Sequence, residues 1–303
     1  MRVVCLSGGV GGAKLARGLH DVLASGELTV IGNVGDDVEV LGLHISPDLD
    51  SVLYGLAGLN DDERGWGRAG ETWRALEAAR EWGGESWFML GDLDIGLHLV
   101  RTQALRDGEP LSAVTARLVE QAGLATHLVP ATDDPVRTFV VTPGGTFAFQ
   151  EWFVSRGHAD EVDAVEFRGA KVANPAPGVI GALEHADLVV IAPSNPYVSI
   201  GPILAVDAVR AALATRRVRC VAVSPLIGGR AVKGPLDRML TRMAGGTTPG
   251  HLAERYDGLI DALVIDRADA SSAAPVPLVV TTTLMTDTSA ARRLAEAVLE
   301  AGS

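Results

Sequence analysis

The chain has 303 residues, 47% of them apolar and 21% charged, which excludes a disordered or collagen-like protein and allows one large α/β domain with a smaller insertion. Its 26 basic and 38 acidic residues give a net charge of −12. Such a surface repels polyanions, so nucleic acid is not expected as a partner, whereas a small anion held by backbone amides or a metal is compatible.

The two cysteines, Cys5 and Cys220, each lie inside an apolar run, which excludes a disulfide scaffold and a cysteine-based zinc site. Buried reduced thiols suit the cytoplasm. The apolar start at Met1–Leu6 stops at Gly8-Gly9, and no run approaches the roughly 18 apolar residues of a membrane span. A cytoplasmic protein with no membrane partner is expected.

Arg2–Leu6 reads as a strand buried on both faces, followed by the glycine-rich turn Ser7–Gly12. Leu15, Leu19, Val22 and Leu23 recur at helical spacing, and Leu28–Ile31 returns as a strand. This βαβ order implies a parallel sheet. Helices are predicted over 67–82 and 110–122, and a hairpin of Thr138–Val141 and Thr146–Phe149 around Pro143-Gly144-Gly145. Glu85–Leu90 is a further strand candidate. The βα rhythm then resumes with strands Asp187–Ala192, Val218–Val223, Leu259–Ile265 and Val276–Val280. Helices are expected over Gly201–Ala214 and Thr288–Ala301. The expected fold is α/β: a Rossmann-like three-layer core from 1–60 and 176–303, with 61–175 partly a mostly helical inserted subdomain.

Gly8, Gly9, Gly11 and Gly12 stand between a strand end and a helix start, where free amides and the helix dipole favour an anion. The spacing fits neither a dinucleotide fingerprint, which would want glycine at Lys14, nor a P-loop. Asp36 and Asp37 follow the second strand, and Asp48 and Asp50 follow in Ser46–Ser51. Loops at the carboxyl ends of parallel strands converge on the ligand crevice. Carboxylates beside a phosphate repel it unless a hard cation intervenes, usually Mg²⁺. The blander reading makes Asp48 the cap of a helix Leu49–Leu56 and Asp36 a turn former. Leu90–Asp94 adds Asp92 and Asp94, followed by His98 and Arg101, the latter suited to a phosphate or to pairing with Asp94. The loop Ala192–Pro202 offers Ser194, Asn195 and Ser199 to a polar ligand or is simply a stiff connector. After the next strand, Ser224–Gly229 repeats that pattern, with Arg230 and Lys233 adding positive charge. No Ser-His-Asp order and no G-x-S-x-G elbow is present, so no covalent nucleophile stands out.

Gly8–Lys14, Asn33–Asp37, Ser46–Asp50, Leu90–Asp92, Pro193–Pro196 and Ser199–Pro202 together resemble the CofD/FbiA family. These are the 2-phospho-L-lactate transferases of deazaflavin coenzyme F-420 biosynthesis. Trp66-Gly67, Glu71-Thr72, Phe149–Trp152 and Leu284–Asp287 extend the likeness over most of the chain. The resemblance implies a cytoplasmic homodimer that moves a phosphorylated three-carbon acid (2-phospholactate or phosphoenolpyruvate) from a guanosine diphosphate-linked donor to the deazaflavin alcohol Fo, releasing GMP with Mg²⁺ as cofactor. Carried over by motif, Asp36, Asp37 and Asp48 hold or border the metal. Gly8, Gly9, Gly11, Gly12, Lys14, Ser194, Asn195 and Ser199 take the guanosine and phosphates. Asp50 and Met89 contact Fo, with Asp92 and Arg137 on the same side. Asp50 and Asp48 are the catalytic carboxylates, Asp50 orienting or deprotonating the Fo hydroxyl. Many members have Arg where this chain has Leu93, and Ala-Thr where it has Gly96-Leu97. One anion contact is thereby left to Arg101, Arg137 or Lys14. The competing readings are a regulatory nucleotide-sugar binder of the related gluconeogenesis-factor branch and, behind it, a nicotinamide dehydrogenase.

Overall fold

A computed structural model describes residues 1–303. The chain opens with β1 (Val3–Ser7), α1 (Gly9–Val22) and β2 (Leu28–Gly32), then a hairpin of β3 (Val38–Val40) and β4 (Leu43–Ile45). Helices α2 (Pro47–Ala57), α3 (Arg74–Glu81), α4 (Asp92–Arg106) and α5 (Leu111–Gln121) lead to β5 (His127–Pro130). An antiparallel sheet of β6 (Arg137–Thr142), β7 (Gly145–Ala148) and β8 (Ala164–Arg168) follows, in the order β7-β6-β8. Next come α6 (Val179–His185), β9 (Leu188–Ile191), α7 (Gly201–Leu204), α8 (Asp207–Ala214) and β10 (Cys220–Val223). The chain closes with the short pair β11 (Leu226–Ile227) and β12 (Arg230–Ala231), α9 (Leu236–Ala244), α10 (Pro249–Glu254), β13 (Ala262–Asp266), β14 (Leu278–Thr281) and α11 (Thr288–Gly302).

Seven strands pair in the order β14-β13-β10-β9-β1-β2-β5, every neighbour parallel. Alternation along each strand divides the core into two layers. Val3, Cys5, Val30 and Val190 face α1, α2 and α11, whereas Val4, Leu6, Ile31 and Val189 face α6, α8 and α10. Leu15 and Leu19 of α1 are fully buried in the first layer, each contributing about 1.5–3 kcal/mol of transfer free energy. The chain leaves β1 toward β2 and β5 and returns on the other side as β9, so the strand order reverses between β1 and β9. In an open α/β sheet the ligand crevice lies at that switch point, beyond the strands' carboxyl ends.

The α/β class and parallel sheet agree with expectation, and three local departures have physical reasons. The helix predicted over 67–82 forms only at Arg74–Glu81, because Gly65, Gly67 and Gly70 all take positive φ. Gly201–Ala214 is two helices, broken where Val206 turns extended at φ −76° and ψ 105°. Glu85–Leu90 forms no strand, since the sheet edge beside β2 is occupied by β5. Segment 61–175 thus supplies an edge strand to the main sheet as well as the antiparallel sheet and helices. A third apolar cluster joins that antiparallel sheet to the loop after β9 through Val140, Trp152, Val198 and Met239.

Candidate active site

The carboxyl end of β1 and the amino end of α1 meet at Gly8, which is extended, and Gly9, at φ +66°. A side chain at residue 8 would strike Asp48 Oδ2 at 2.6 Å and Ser199 Cβ at 2.8 Å, so close approach requires glycine here. Gly11 and Gly12 lie within the first turn of α1 instead of in an open loop. There they admit the β9 loop: a Cβ on Gly11 would sit 2.5 Å from Pro193 O, and one on Gly12 2.7 Å from Ser194 Oγ. Ser194 Oγ donates to Gly8 O at 2.7 Å, tying the loops on either side of the switch point together.

Helix α2 begins beside this bend. Pro47 occupies its first turn, where a missing N–H costs nothing, so the helix starts earlier than expected and Ser46, not Asp48, stands at the cap. Asp48 and Asp50 lie inside the first turn, favourably placed on the helix dipole. Asp48 accepts from Asn33 Nδ2 at 2.9 Å, and the Gly9 amide nearby favours its charged form. Asn33, directly after β2, also reaches Val198 O at 3.3 Å and accepts from Gly35 N at 2.7 Å. It is the hub connecting three loops. Burial pushes the Asp48 carboxyl up to about 6, with the nearby Asp37 and Asp50 charges adding to the rise against the Asn33 bond and the Gly9 amide. Asp36 is raised well above the carboxylate range, first by burial and then by the charge of Asp48.

Asp36 Oδ1 and Asp37 Oδ1 are buried with no hydrogen-bond partner. The other Asp37 oxygen accepts from Ser46 Oγ at 3.0 Å and lies 3.0 Å from His44 Nε2. These two lone oxygens, beside Asp48 and the Gly9 amide, form an oxygen-only donor set suited to a hard cation shared with an anion. The protein groups alone do not close a three-ligand cage.

Behind Asp50 stands the buried face of α4. Arg101 Nη1 donates to Asp50 Oδ2 at 3.0 Å while Nη2 bonds Oδ1, forming a two-pronged pair, and both residues are buried. His98 Nδ1 lies 3.4 Å from Arg101 Nη1, and burial holds the imidazole down at about 4, so it is neutral near pH 7 and accepts from the guanidinium. Of the three cations left to replace the family arginine, Arg101 is therefore spent on Asp50. Tyr54 OH donates to Asp94 at 2.7 Å, and burial pushes the Asp94 carboxyl up to about 6.

The structure brings Gly8, Gly9, Asp36, Asp37, Asp48, Ser194 and Ser199 to one place, with Asp50 adjacent. Other expected site residues have different surroundings. Lys14 points along α1, donating to Met285 O at 3.0 Å. Asn195 shapes its own loop, accepting from Tyr197 N at 2.9 Å. Asp92 accepts from Ala75 N at 3.0 Å and Thr72 Oγ1, fastening the start of α3. Arg137 donates to Val136 O, and strand alternation sets it on the face opposite Thr138, whose N–H donates to Gly35 O at 2.8 Å. Met89 is 39% exposed on the approach to α4. Sequence reading did not single out His44 or Ser46 as partners of the acids. Asn33, at the carboxyl end of a strand, carried a positional signal; His44 carried none.

A structural likeness extends over the whole fold: a UPF0052-family protein from Bacillus halodurans superposes with a TM-score of 0.65 at 16% identity, covering 99% of this chain and 100% of that one. Sequence relatives are much nearer. Proteins named phosphoenolpyruvate transferase from Streptomyces griseus and Nocardia farcinica are 42% and 43% identical, covering 99% and 94% of this chain and 98% and 90% of their own lengths. One from Thermobifida fusca is 43% identical, covering 90% of this chain and 88% of its own. The family profile described as 2-phospho-L-lactate transferase CofD matches residues 3–294. The chain therefore belongs to the CofD family of transferases.

Proposed function

We propose that this protein transfers a phospho-three-carbon-acid group, phosphoenolpyruvate or 2-phospholactate, from a guanosine diphosphate-linked donor to the alcohol of Fo, releasing GMP. The observation that carries this reading is the meeting of the Gly8–Gly9 bend with the unpartnered oxygens of Asp36 and Asp37 and with Asp48. Such a site accepts a diphosphate only together with a divalent cation, because buried carboxylates otherwise repel it.

Asp36 and Asp37 would hold Mg²⁺, with Asp48 at its border. Bound there, the ion would neutralise charge on the phosphate oxygens. The N-terminal turn of α1 supplies the amide dipoles for the diphosphate, and Ser194 and Ser199 border it. The Fo hydroxyl oxygen attacks the phosphorus bearing the acid, the phosphorus–oxygen bond to the GMP phosphate breaks, and the hydroxyl proton goes to a carboxylate. The pair with Arg101 engages both Asp50 oxygens, so Asp50 is read as orienting the acceptor in place of the proton-taking role considered for it. Asp48, a carboxyl pushed up to about 6, is the better matched base. Most of the rate enhancement then comes from alignment of the two substrates and from fixed charge.

Incubating the protein with Fo and each guanosine diphosphate-linked donor, and following product mass and GMP with Mg²⁺ or with EDTA, tests the reading. Product that disappears with EDTA supports it. Binding of a nucleotide-sugar with no transfer from any guanosine donor overturns it in favour of a regulatory binder.

A further inference from the structure

Only three of the 26 basic residues are lysines; Lys14 lines one cavity, and Lys233 sits at its edge, where it binds the lining residue Gly65. The cavity, of about 270 Å³, lies between α1, α2, the 60–67 loop and the start of α11. Lys14 Nζ donates to Met285 O at 3.0 Å and Lys233 Nζ to Gly65 O at 2.8 Å; both acceptor residues line the cavity. Neither ammonium has a carboxylate partner, in a chain with a surplus of twelve acids. The acids lining the cavity are engaged in their own loops: Asp61 with Arg64 N, Asp62 with Asn60 Nδ2 and Asp287 with Ala290 N. Partial desolvation of its ammonium, and then the charge of Lys14, lower Lys233 from its ordinary value, although the residue as a whole lies at the surface.

Val10 and Ser51 also line this cavity, one residue beyond Gly9 and Asp50 respectively. It therefore lies alongside the helix turns that form the diphosphate seat. Its volume falls below the roughly 300–1,000 Å³ of sites for drug-sized ligands, which suits a small acid better than a deazaflavin ring. The transferred acid, whichever of the three-carbon acids it is, carries a carboxylate. That carboxylate is repelled by Asp36, Asp37 and Asp48, and Arg101 is already paired with Asp50.

We propose that Lys14 and Lys233 receive the carboxylate of the transferred acid and so select donors that carry one. This rests on the transferase reading above and adds the substrate group to which the cavity answers. Lys14 thus acts on the acid end of the donor, not on the guanosine end.

With three lysines, reductive ¹³C-methylation gives three side-chain NMR signals, assignable with K14R and K233R. The intact donor, and phosphoenolpyruvate alone, should shift the Lys14 and Lys233 signals and leave Lys171 in place, while GDP leaves all three. K14Q and K233Q should each raise the KM for the donor tenfold or more with GDP affinity unchanged; Lys233 is exposed, so its variant is not expected to disturb folding. Signals that stay still with the intact donor overturn the proposal, as does GDP shifting them equally, which would make the pair a nucleotide-phosphate site. Product formed while the lysine signals stay still refutes the subsite alone. Lysine signals that move with phosphoenolpyruvate, in a protein that makes no product, refute the transferase reading and leave the subsite standing.

Discussion

Arg101 grips both oxygens of Asp50, with Nη1 donating to Oδ2 at 3.0 Å, although the two residues lie 51 positions apart and both are buried. A buried charge deprived of its partner is expensive. Arg101→Met should cost about 3–5 kcal/mol of stability in urea denaturation. The double variant Arg101→Met, Asp50→Leu should recover most of that loss without recovering transfer. A single variant as stable as the parent would show that the pair does not form.

The raised carboxyls make a pH prediction. The Asp48 carboxyl takes up its proton at about 6 in the folded protein, against 3.8 ordinarily, so between these values the folded state holds more protons than the unfolded one. Its contribution to stability is therefore present at low pH and lost as pH rises through about 6. The shift corresponds to about 3 kcal/mol. His98, held down at about 4, pulls the other way by resisting protonation in the fold, so wild type and Asp48→Asn must be compared. At pH 8 without divalent cations, Asp48→Asn should be the more stable protein, and near pH 4 the advantage should vanish. Urea titrations at the two pH values measure it.

Gly8→Ala tests the close approach at the bend. The added methyl meets Asp48 Oδ2 at 2.6 Å and Ser199 Cβ at 2.8 Å, so the loops must part. Overpacking of this kind costs about 1–3 kcal/mol. Turnover should fall by a larger factor than stability alone explains, because the proposed diphosphate seat itself widens. Thermal unfolding and the GDP dissociation constant report the two effects separately.

The sheet, its parallel sense and the glycine bend are legible in the sequence because β-branched runs, glycine turns and helical spacing are local signals. Strand β5 is not: His127–Pro130 has one Leu and one Val between a histidine and a proline, and it earns its place only by pairing with β2. The hairpin β3–β4 is hidden for a related reason, since its turn uses Leu41 at φ 52° before Gly42, where asparagine or aspartate would have announced it. Within the site, the four aspartates could be singled out by their position after strands and at a helix start. Their partners could not, because His44 and Arg101 meet them only through tertiary folding. For Lys14, a lysine next to a glycine-rich turn suggests a phosphate, and only the fold shows that its ammonium reaches Met285 O at the cavity between α1 and α11.

Glu71 fastens the segment before α4. Its carboxylate accepts from Leu93 N and Asp94 N, each at 2.8 Å, capping that helix from a distance. Glu71→Ala should cost about 1 kcal/mol and speed amide exchange across 60–91 while leaving β1, β9 and β10 protected. Unchanged exchange in 60–91 would mean that other contacts hold the segment.

The central claim is that a diphosphate and a divalent cation enter this site together, between the Gly8–Gly9 bend and Asp36, Asp37 and Asp48. Calorimetric titration of GDP with and without Mg²⁺, in wild type and in Asp36→Asn, tests it most directly. Mg²⁺ should tighten GDP binding tenfold or more in wild type, and that gain should disappear in the variant. Equal GDP affinity in Mg²⁺ and in EDTA, or a gain that persists in Asp36→Asn, would contradict the account.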